Sequence, residues 1–237
     1  MKDWPIFPPG YEARLCLDDA FESAIAAAEA GAEDGLLLWQ DRADRFNAAV
    51  LLRPLDPLDA ALGLSQVGLL ALLDALAGLA PAETPITLGW PDRLLVNDAT
   101  AGGLRLAHGA LVEKHGMLEV PDWLVLGFTL QLAPFGDADA PGLELEYTSL
   151  HEEGCGEVTA KLLVEAVAHH LLAWLNRWQE TGFEPVRRAA EAFQALREAK
   201  LEPNGDLWLH DGTAKRLRVL RAALRQPSWV LPEAISA

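Results

Sequence analysis

The period of the hydrophobic pattern changes along the chain, which separates predicted strands from predicted helices. Short apolar runs bounded by polar, glycine or proline residues are typical of strands in a buried sheet. On this criterion we predict strands at residues 36–39, 48–52, 86–88, 93–96, 103–107 and 123–132. Asn97-Asp98 separates two of these runs and predicts a tight hairpin turn.

Longer segments predict helices that flank these strands, at residues 18–30, 56–79, 160–179 and 186–199. Asp18 or Asp19 can cap the first helix, and Thr159 can cap the third, which Gly182 ends. The second is apolar on nearly every face, so we expect it to be buried against a sheet. The pattern predicts an α+β domain with a mixed β-sheet flanked by helices.

The last part of the chain is predicted to be a small appendage. We assign residues 1–200 to the main domain and 201–237 to the appendage, which combines a strand at 206–210 with a basic helix after the turn Asp211-Gly212. Residues 134–142, rich in Asp, Gly and Pro, interrupt the main domain as a loop.

Charge and composition narrow the classes of partner. The chain carries 35 acidic and 19 basic side chains, a formal charge of -16, which argues against a nucleic-acid or anionic-membrane surface. The N-terminus shows no secretory signal, and we expect no membrane association. Two cysteines are typical of a reducing compartment and provide no metal-binding spacing, so we expect a cytoplasmic protein without a metal site.

The most informative motif spans residues 89–106 and reads Gly-Trp-Pro-Asp-Arg-Leu-Leu-Val-Asn-Asp-Ala-Thr-Ala-Gly-Gly-Leu-Arg-Leu. It resembles the signature hairpin of the biotin and lipoate protein ligases. In that family Trp-Pro-Asn-Asp precedes a short strand, a turn, and a lysine three residues before a glycine. Trp90, Pro91 and Gly103 keep the family's places.

Three further segments extend the resemblance over about residues 15–190, namely Leu-Arg-Pro at 52–54, Thr-Ser-Leu at 148–150 and Gly-Phe at 182–183. The resemblance implies the fold of the ligase catalytic domain and a ligand pocket between the Trp-Pro hairpin and the loop 41–45. It further implies ATP and biotin or lipoate as candidate ligands, and a biotinyl or lipoyl acceptor domain as candidate partner.

The reactive positions of the family are changed in this sequence. Asp92 replaces the family's asparagine, Arg93 its magnesium-associated aspartate, and Thr100 its lysine. The loop 41–45 lacks the glycines with which the family's Gly-Arg-Gly-Arg loop approaches a phosphate. Threonine cannot supply the positive charge that a lysine holds against a forming anhydride.

Arg105 is therefore the residue we expect to carry any remaining chemistry, next to Thr100. A guanidinium two residues after Gly103 would share its face of the strand and could bind a carboxylate bidentately. The alternative is that Arg105 pairs with an acidic side chain on a neighbouring strand. The ligand-binding candidates that the resemblance implies are Arg42, Arg45, Trp90, Pro91, Asp92, Arg93, Gly102 and Gly103.

These residues predict a ligase-like protein that binds a small carboxylate or acyl ligand, while its ligase activity stays open. One alternative is an active acyl-adenylate protein ligase or acyltransferase with a rearranged site. Another is a non-catalytic scaffold that binds a partner.

Overall fold

The computed structural model describes residues 4–135, 146–195, 199–211 and 214–231. Its helices are α1 (Ala20–Glu29), α2 (Leu58–Ala61), α3 (Leu64–Leu79), α4 (Ala160–Thr181), α5 (Glu184–Ala192) and α6 (Leu220–Ala223). Its strands are β1 (Glu12–Leu15), β2 (Leu36–Trp39), β3 (Arg45–Leu52), β4 (Ile86–Gly89), β5 (Arg93–Val96), β6 (Ala99–His108), β7 (Leu111–Lys114), β8 (Met117–Pro121), β9 (Leu124–Gln131), β10 (Ala199–Leu201), β11 (Leu207–Asp211) and β12 (Ala214–Arg218).

A seven-stranded sheet in the order β1-β2-β3-β9-β6-β5-β4 forms the centre of the fold. Strand β1 runs parallel to β2, and the other neighbours are antiparallel. The prediction of a mixed sheet flanked by helices is confirmed. Strand β1 escaped the prediction because its side chains are mostly exposed and lack an apolar alternation.

Helices cover the two faces of this sheet unequally. Helices α3 and α4 pack on one face and enclose the larger core, which confirms that the apolar segment 58–79 is buried. By length and composition that segment would also cross a membrane, but most of it lies inside the fold. Helix α1 packs on the opposite face, called here the α1 face, through Phe21 and Ala24. Because α1 has only 10 residues, it covers only part of that face.

The Trp-Pro hairpin consists of β5 and β6 and turns at the predicted residues. Asn97 and Asp98 both adopt positive φ, at 48° and 68°, as a two-residue type I′ turn requires. The register pairs Arg93 with Gly103 and then shifts at a bulge between Leu94 and Leu95. This register places Arg93 opposite Gly103.

The C-terminal part differs from its prediction. Strands β10, β11 and β12 form a three-stranded antiparallel sheet, so the predicted basic helix is wrong over Lys215–Arg218, which lie in β12. Up to residue 231, where the described part of the chain ends, the short α6 is the helix that follows it. Leu201, Leu207 and Leu220 join the larger core, and the domain boundary at residue 200 stays a prediction.

Two other segments were incompletely predicted. The hairpin of β7 and β8 was not predicted, because most of its side chains face solvent. Residues 136–142 of the predicted loop, Gly212 of the predicted turn and residues 196–198 of the fourth predicted helix lie outside the described residues.

Helix α3 approaches the sheet at Gly68, and this contact can be tested. A Cβ at Gly68 would lie 2.5 Å from Leu104 Cδ1 and 3.3 Å from Phe128 Cε1, whereas one at Gly78 meets nothing within 4 Å. We expect Gly68→Leu to lower the free energy of unfolding by about 1–3 kcal/mol or more through overpacking. Gly78→Leu in the same helix should be neutral or stabilise by up to about 1 kcal/mol. Urea denaturation measures both, and equal effects would contradict this packing.

Candidate functional site

Polar and glycine residues form one row across the α1 face, beyond the end of helix α1. Asn47 pairs with Thr129, Thr129 with Gly103, and Gly103 with Arg93, across β3, β9, β6 and β5. Asn47 and Thr129 are each only 6% exposed. Because alternate residues of a strand share a face, Arg105 lies next to this row on β6.

Arg105 is held by helix α1. Its Nη2 donates to both carboxylate oxygens of Asp19 at 2.8 Å, and its guanidinium lies 4.4 Å from the ring centre of Phe21. Its Nη1 lies 3.8 Å from Glu22. The alternative named for Arg105, pairing with an acidic residue, is therefore what the structure contains, although the acid caps a helix instead of lying on a strand.

Asp19 joins the helix, the sheet and Arg105. Its carboxylate accepts hydrogen bonds from the backbone N–H groups of Phe21 and Glu22, as an N-cap does, and from the side chain of Asn47. Burial opposes the charge, but the hydrogen bond from Asn47 and the charge of Arg105 outweigh it and lower the pKa of Asp19. Asp19 thus stays ionised and offsets much of the charge of Arg105.

The arginines of the loop 41–45 also have partners. Arg42 binds Asp44 through two hydrogen bonds of 2.9 and 2.6 Å. Arg45 donates to Gln131 at 3.3 Å. Burial lowers the pKa of Arg45, and the charges of Arg42 and Arg105 act in the same direction. The fold therefore brings Arg45 within electrostatic reach of Arg105, while Arg42 turns to its own loop.

Trp90 and Pro91 hold the hairpin against neighbouring elements of the fold. The indole Nε1 of Trp90 donates to the carbonyl oxygen of Gly205 at 3.0 Å, in the turn before β11. The carbonyl oxygen of Pro91 accepts a 3.1 Å hydrogen bond from Gln66 in α3. Both residues are buried, so these two contacts fix the hairpin between the core helix and the C-terminal sheet.

Asp92 binds a segment that sequence reasoning missed. Its carboxylate accepts a 2.8 Å hydrogen bond from the backbone N–H of Ser228 and a second from the Ser228 hydroxyl. Burial raises the pKa of Asp92, and the bonds from Ser228 act against that shift. Both oxygens are engaged and Arg93 follows directly, so this position does not fit the magnesium ion that the family's aspartate would serve.

Thr100 is 4% exposed, and its backbone forms hydrogen bonds with residues outside the hairpin. Its N–H donates to the carbonyl oxygen of Glu146, and its own carbonyl oxygen accepts from the N–H of Thr148. The side chain of Arg93 makes no hydrogen bond or ion pair within the described residues, and its Nε is buried without a partner. The structure therefore places no lysine-like charge on Thr100 itself.

Gly102 and Gly103 permit close approaches of different kinds. Gly102 has φ +148°, and a Cβ there would lie 2.1 Å from the carbonyl oxygen of Thr129. A Cβ on Gly103 would lie 2.0 Å from the carbonyl oxygen of Asp92 and 2.5 Å from the indole Nε1 of Trp229. The close approach that we expected of a ligand at Gly103 is thus made by the backbone of Asp92 and by the indole of Trp229, which is 6% exposed.

A cavity of about 220 Å³ lies along β6, and we call it the β6 cavity. It lies between helix α1, strand β6 and residues 224–231, called here the C-terminal segment. Its lining consists of Phe21, Asp92, residues 104–107 of β6, Leu224, Arg225 and Pro227. Of the site residues predicted from the sequence, Asp92 and Arg105 line it, whereas Arg42, Arg45 and Thr100 do not.

Little in the sequence indicates the role of the C-terminal segment. Its tryptophan stands in a polar stretch, Pro227-Ser228-Trp229, which matches no motif. The contact with Gly103 joins residues that are far apart in the chain. No local periodicity encodes such a contact.

The link between Arg105 and Asp19 predicts an acid-dependent stability. We expect Arg105→Met to lower the free energy of unfolding by about 1–2 kcal/mol at neutral pH, because Asp19 stays half-buried without its cation. The pKa of Asp19 is lower in the folded protein, so its stabilisation is present above about pH 4 and disappears as the pH falls through the folded pKa.

Urea denaturation from acid to neutral pH checks this expectation. The curves of Arg105→Met and the parent should converge at low pH. Arg14→Met removes an arginine from an exposed pair with Glu12 and should change stability by less than about 0.5 kcal/mol. Equal losses in both variants, or a loss for Arg105→Met that does not depend on pH, would contradict the assignment.

Comparison with known proteins identifies relatives of this chain by sequence and by fold. Residues 7–191 match the biotin/lipoate A/B protein ligase family. A biotin–[acetyl-CoA-carboxylase] ligase from Paracoccus denitrificans is 28% identical over 153 residues, which cover 64% of this chain and 61% of that protein. The chain thus spans about three fifths of that relative's length.

Solved structures agree with the family match. A biotin protein ligase-like protein of unknown function from Silicibacter sp. TM1040 superposes with a TM-score of 0.81 and 31% identity, covering 94% of this chain and 100% of that one. The apo biotin protein ligase from Aquifex aeolicus superposes with a TM-score of 0.67 and 16% identity. The match covers 87% of this chain and 95% of that one and shows a shared fold. From its sequence match over residues 7–191, this chain belongs to the biotin/lipoate A/B protein ligase family.

Proposed function

We propose that this protein binds a small carboxylate-bearing acyl ligand in the β6 cavity and does not catalyse acyl-adenylate formation by the lysine-based route of its family. The observation that carries the proposal is the composition of the cavity. Two arginines, Arg105 and Arg225, stand among otherwise mainly apolar walls in a chain whose formal charge is -16.

The two arginines differ in what they offer. Arg105 is largely neutralised by Asp19, so it contributes mainly the edge of its guanidinium to the cavity wall. Arg225 is exposed and forms no ion pair within the described residues. Asp92 does not compete for this cation, because Ser228 engages both of its oxygens. A ligand carboxylate would therefore bind Arg225 first, with its chain along the apolar wall.

The size and wall chemistry of the cavity favour a short acyl chain. Pockets for larger ligands commonly have volumes of about 300–1,000 Å³, whereas the β6 cavity has about 220 Å³. Phe21, Leu106, Leu224 and Pro227 supply apolar surface against which methylene groups can lose water. The combination of an arginine and an apolar wall suits a small fatty acid better than a sugar or a nucleotide.

Three features support the absence of the family's reaction. Thr100 brings no charge to the lysine position, and the loop 41–45 has no glycine for a phosphate cradle. Arg105, the cation we expected to replace the lysine, is bound by Asp19 at 2.8 Å. Removal of one such electrostatic group commonly lowers a rate by about 10²–10³-fold, so their combined loss accounts for a protein that binds without adenylating.

Calorimetric titration with butyrate tests the binding proposal. We expect binding by the parent and an affinity about threefold to tenfold lower for Arg225→Met, because a partly exposed charge-assisted hydrogen bond is lost. Arg221→Met is the matched control, since Arg221 faces Asp59 outside the cavity. Butyramide, which has the same chain without the charge, should bind more weakly than butyrate. No binding of butyrate at millimolar concentration would contradict the proposal.

Transfer of labelled biotin or lipoate to an acceptor domain tests the second part of the proposal, the absence of acyl-adenylate formation. We expect no incorporation above background with ATP and magnesium present, because no fixed cation stands at the lysine position. An authentic biotin protein ligase in the same assay is the positive control. Robust incorporation would establish a rearranged ligase site and overturn the proposal.

A further inference from the structure

We propose that strand β12 is a docking edge for an extended acidic segment of a partner protein, an inference that does not depend on the proposed function. The strand order β10-β11-β12 leaves one side of β12 without a neighbouring strand. Its ladder joins it to β11, and no backbone hydrogen bond links residues 215–218 to another described segment. Such an edge carries N–H and C=O groups with which another chain can pair.

The charge of this edge is opposite to that of the chain as a whole. Residues 212–232 contain five basic side chains and no acidic one, in a chain with 35 acidic and 19 basic residues. Lys215, Arg216 and Arg218 of β12 are exposed, and none forms an ion pair with a described side chain. An acidic partner is therefore attracted to this edge, whereas the net charge of the chain repels it elsewhere.

The register distributes the side chains of β12 over the two faces of the small sheet. Arg218 pairs with Leu207, which belongs to the larger core. Arg216 lies two residues earlier in the strand and therefore on the same face. Leu217 lies on the opposite face, where it pairs with Trp208 and is 45% exposed. The edge thus presents two exposed arginines on one face and an exposed apolar side chain on the other.

This distribution determines the chemistry of the partner. A strand added to β12 would place its side chains alternately on the two faces, opposite those of β12. Acidic residues suit the face of Arg216 and Arg218, and an apolar residue between them suits the face of Leu217. Lys215 adds to the positive potential of the edge. The complementary segment therefore alternates acidic and apolar residues, with main-chain hydrogen bonds supplying affinity.

Two other roles for these cations make different predictions. Charged side chains on an edge strand can serve only to prevent pairing with other chains. A purely protective edge binds no strand, whereas a docking edge rejects neutral and basic strands and binds acidic ones. A nucleic acid would also match the local charge, but the formal charge of -16 and the apolar Leu217 between the arginines favour a protein segment.

Fluorescence anisotropy with labelled heptapeptides tests the proposal on the full chain. The acidic peptide alternates Glu and Val, and its two controls carry Gln or Lys in place of Glu. We expect the acidic peptide to bind at least about tenfold more tightly than either control, and more weakly as salt rises, because the attraction joins exposed charges.

Charge reversal on β12 should remove this preference. Arg216→Glu/Arg218→Glu should weaken binding of the acidic peptide at least about tenfold, since two attractive cross-strand pairs become repulsive. Arg14→Glu/Arg177→Glu is the matched control, because it changes the net charge equally at exposed arginines of β1 and α4. This control should bind the acidic peptide as the parent does. Equal losses in the two double variants would contradict the assignment to β12.

Methylation of the peptide backbone distinguishes strand addition from charge attraction alone. Alternate N–H groups of a strand point to the same side, so methylation of either the Glu or the Val nitrogens removes the donors of one side. We expect one methylated peptide to bind at least about tenfold more weakly than the other, because one side faces β12 and loses several hydrogen bonds. Equal binding of the two methylated peptides would overturn strand addition.

The remaining outcomes also decide the proposal. No binding of the acidic peptide at millimolar concentration would show that the cations only protect the edge. Tighter binding of a single-stranded oligothymidylate, lost in Arg216→Glu/Arg218→Glu, would replace the protein partner by a nucleic acid. Thermal melts identify loss of folding. If that variant does not fold, Arg216→Gln/Arg218→Gln should weaken binding at least about threefold through loss of the charges alone, and unchanged affinity would overturn the inference.

Discussion

The contact between Asp19 and Arg105 is the constraint on which the α1 face depends. It caps helix α1, fixes that helix against β6 and β9 through Phe21, and determines how much charge Arg105 can offer. A free arginine here would be a strong anion site, whereas a paired one is a polar wall. The same ion pair thus stabilises the fold and limits its chemistry. In the proposed function, the cation available to a ligand is therefore Arg225 of the C-terminal segment, which lines the same cavity as Arg105.

Several positions that the family resemblance singles out contact other residues of this chain. Asp92 binds Ser228, Arg42 binds Asp44, and Gly103 lies under Trp229. Each of these partners is a residue outside the Trp-Pro hairpin, and two lie on one short segment. Arg93 is the exception, because its Nε is buried without a partner within the described residues.

The sequence predicted elements whose signal is local. Asn97-Asp98 specified the hairpin turn, Thr159 and Gly182 bounded α4, and the resemblance located Gly103 on the strand beside the cavity. Strand β12 was mistaken for a helix because the charges of Lys215, Arg216 and Arg218 indicate a solvated surface but not its period. The contacts at Trp229 and Asp19 could not be predicted, since they depend on how distant segments meet after the sheet has formed.

The anchoring of Ser228 to Asp92 has a consequence for the order in which the protein is made. The strands of the main sheet precede residue 132, so all of them are synthesised well before Trp229, which lies against Gly103 of that sheet. A nascent chain can pair its strands and bury helix α3 while the face over Gly103 is still bare. The cavity becomes complete only when residues 224–229 have emerged and settled on the hairpin. The β6 cavity would therefore be completed only after every strand of the main sheet has been synthesised.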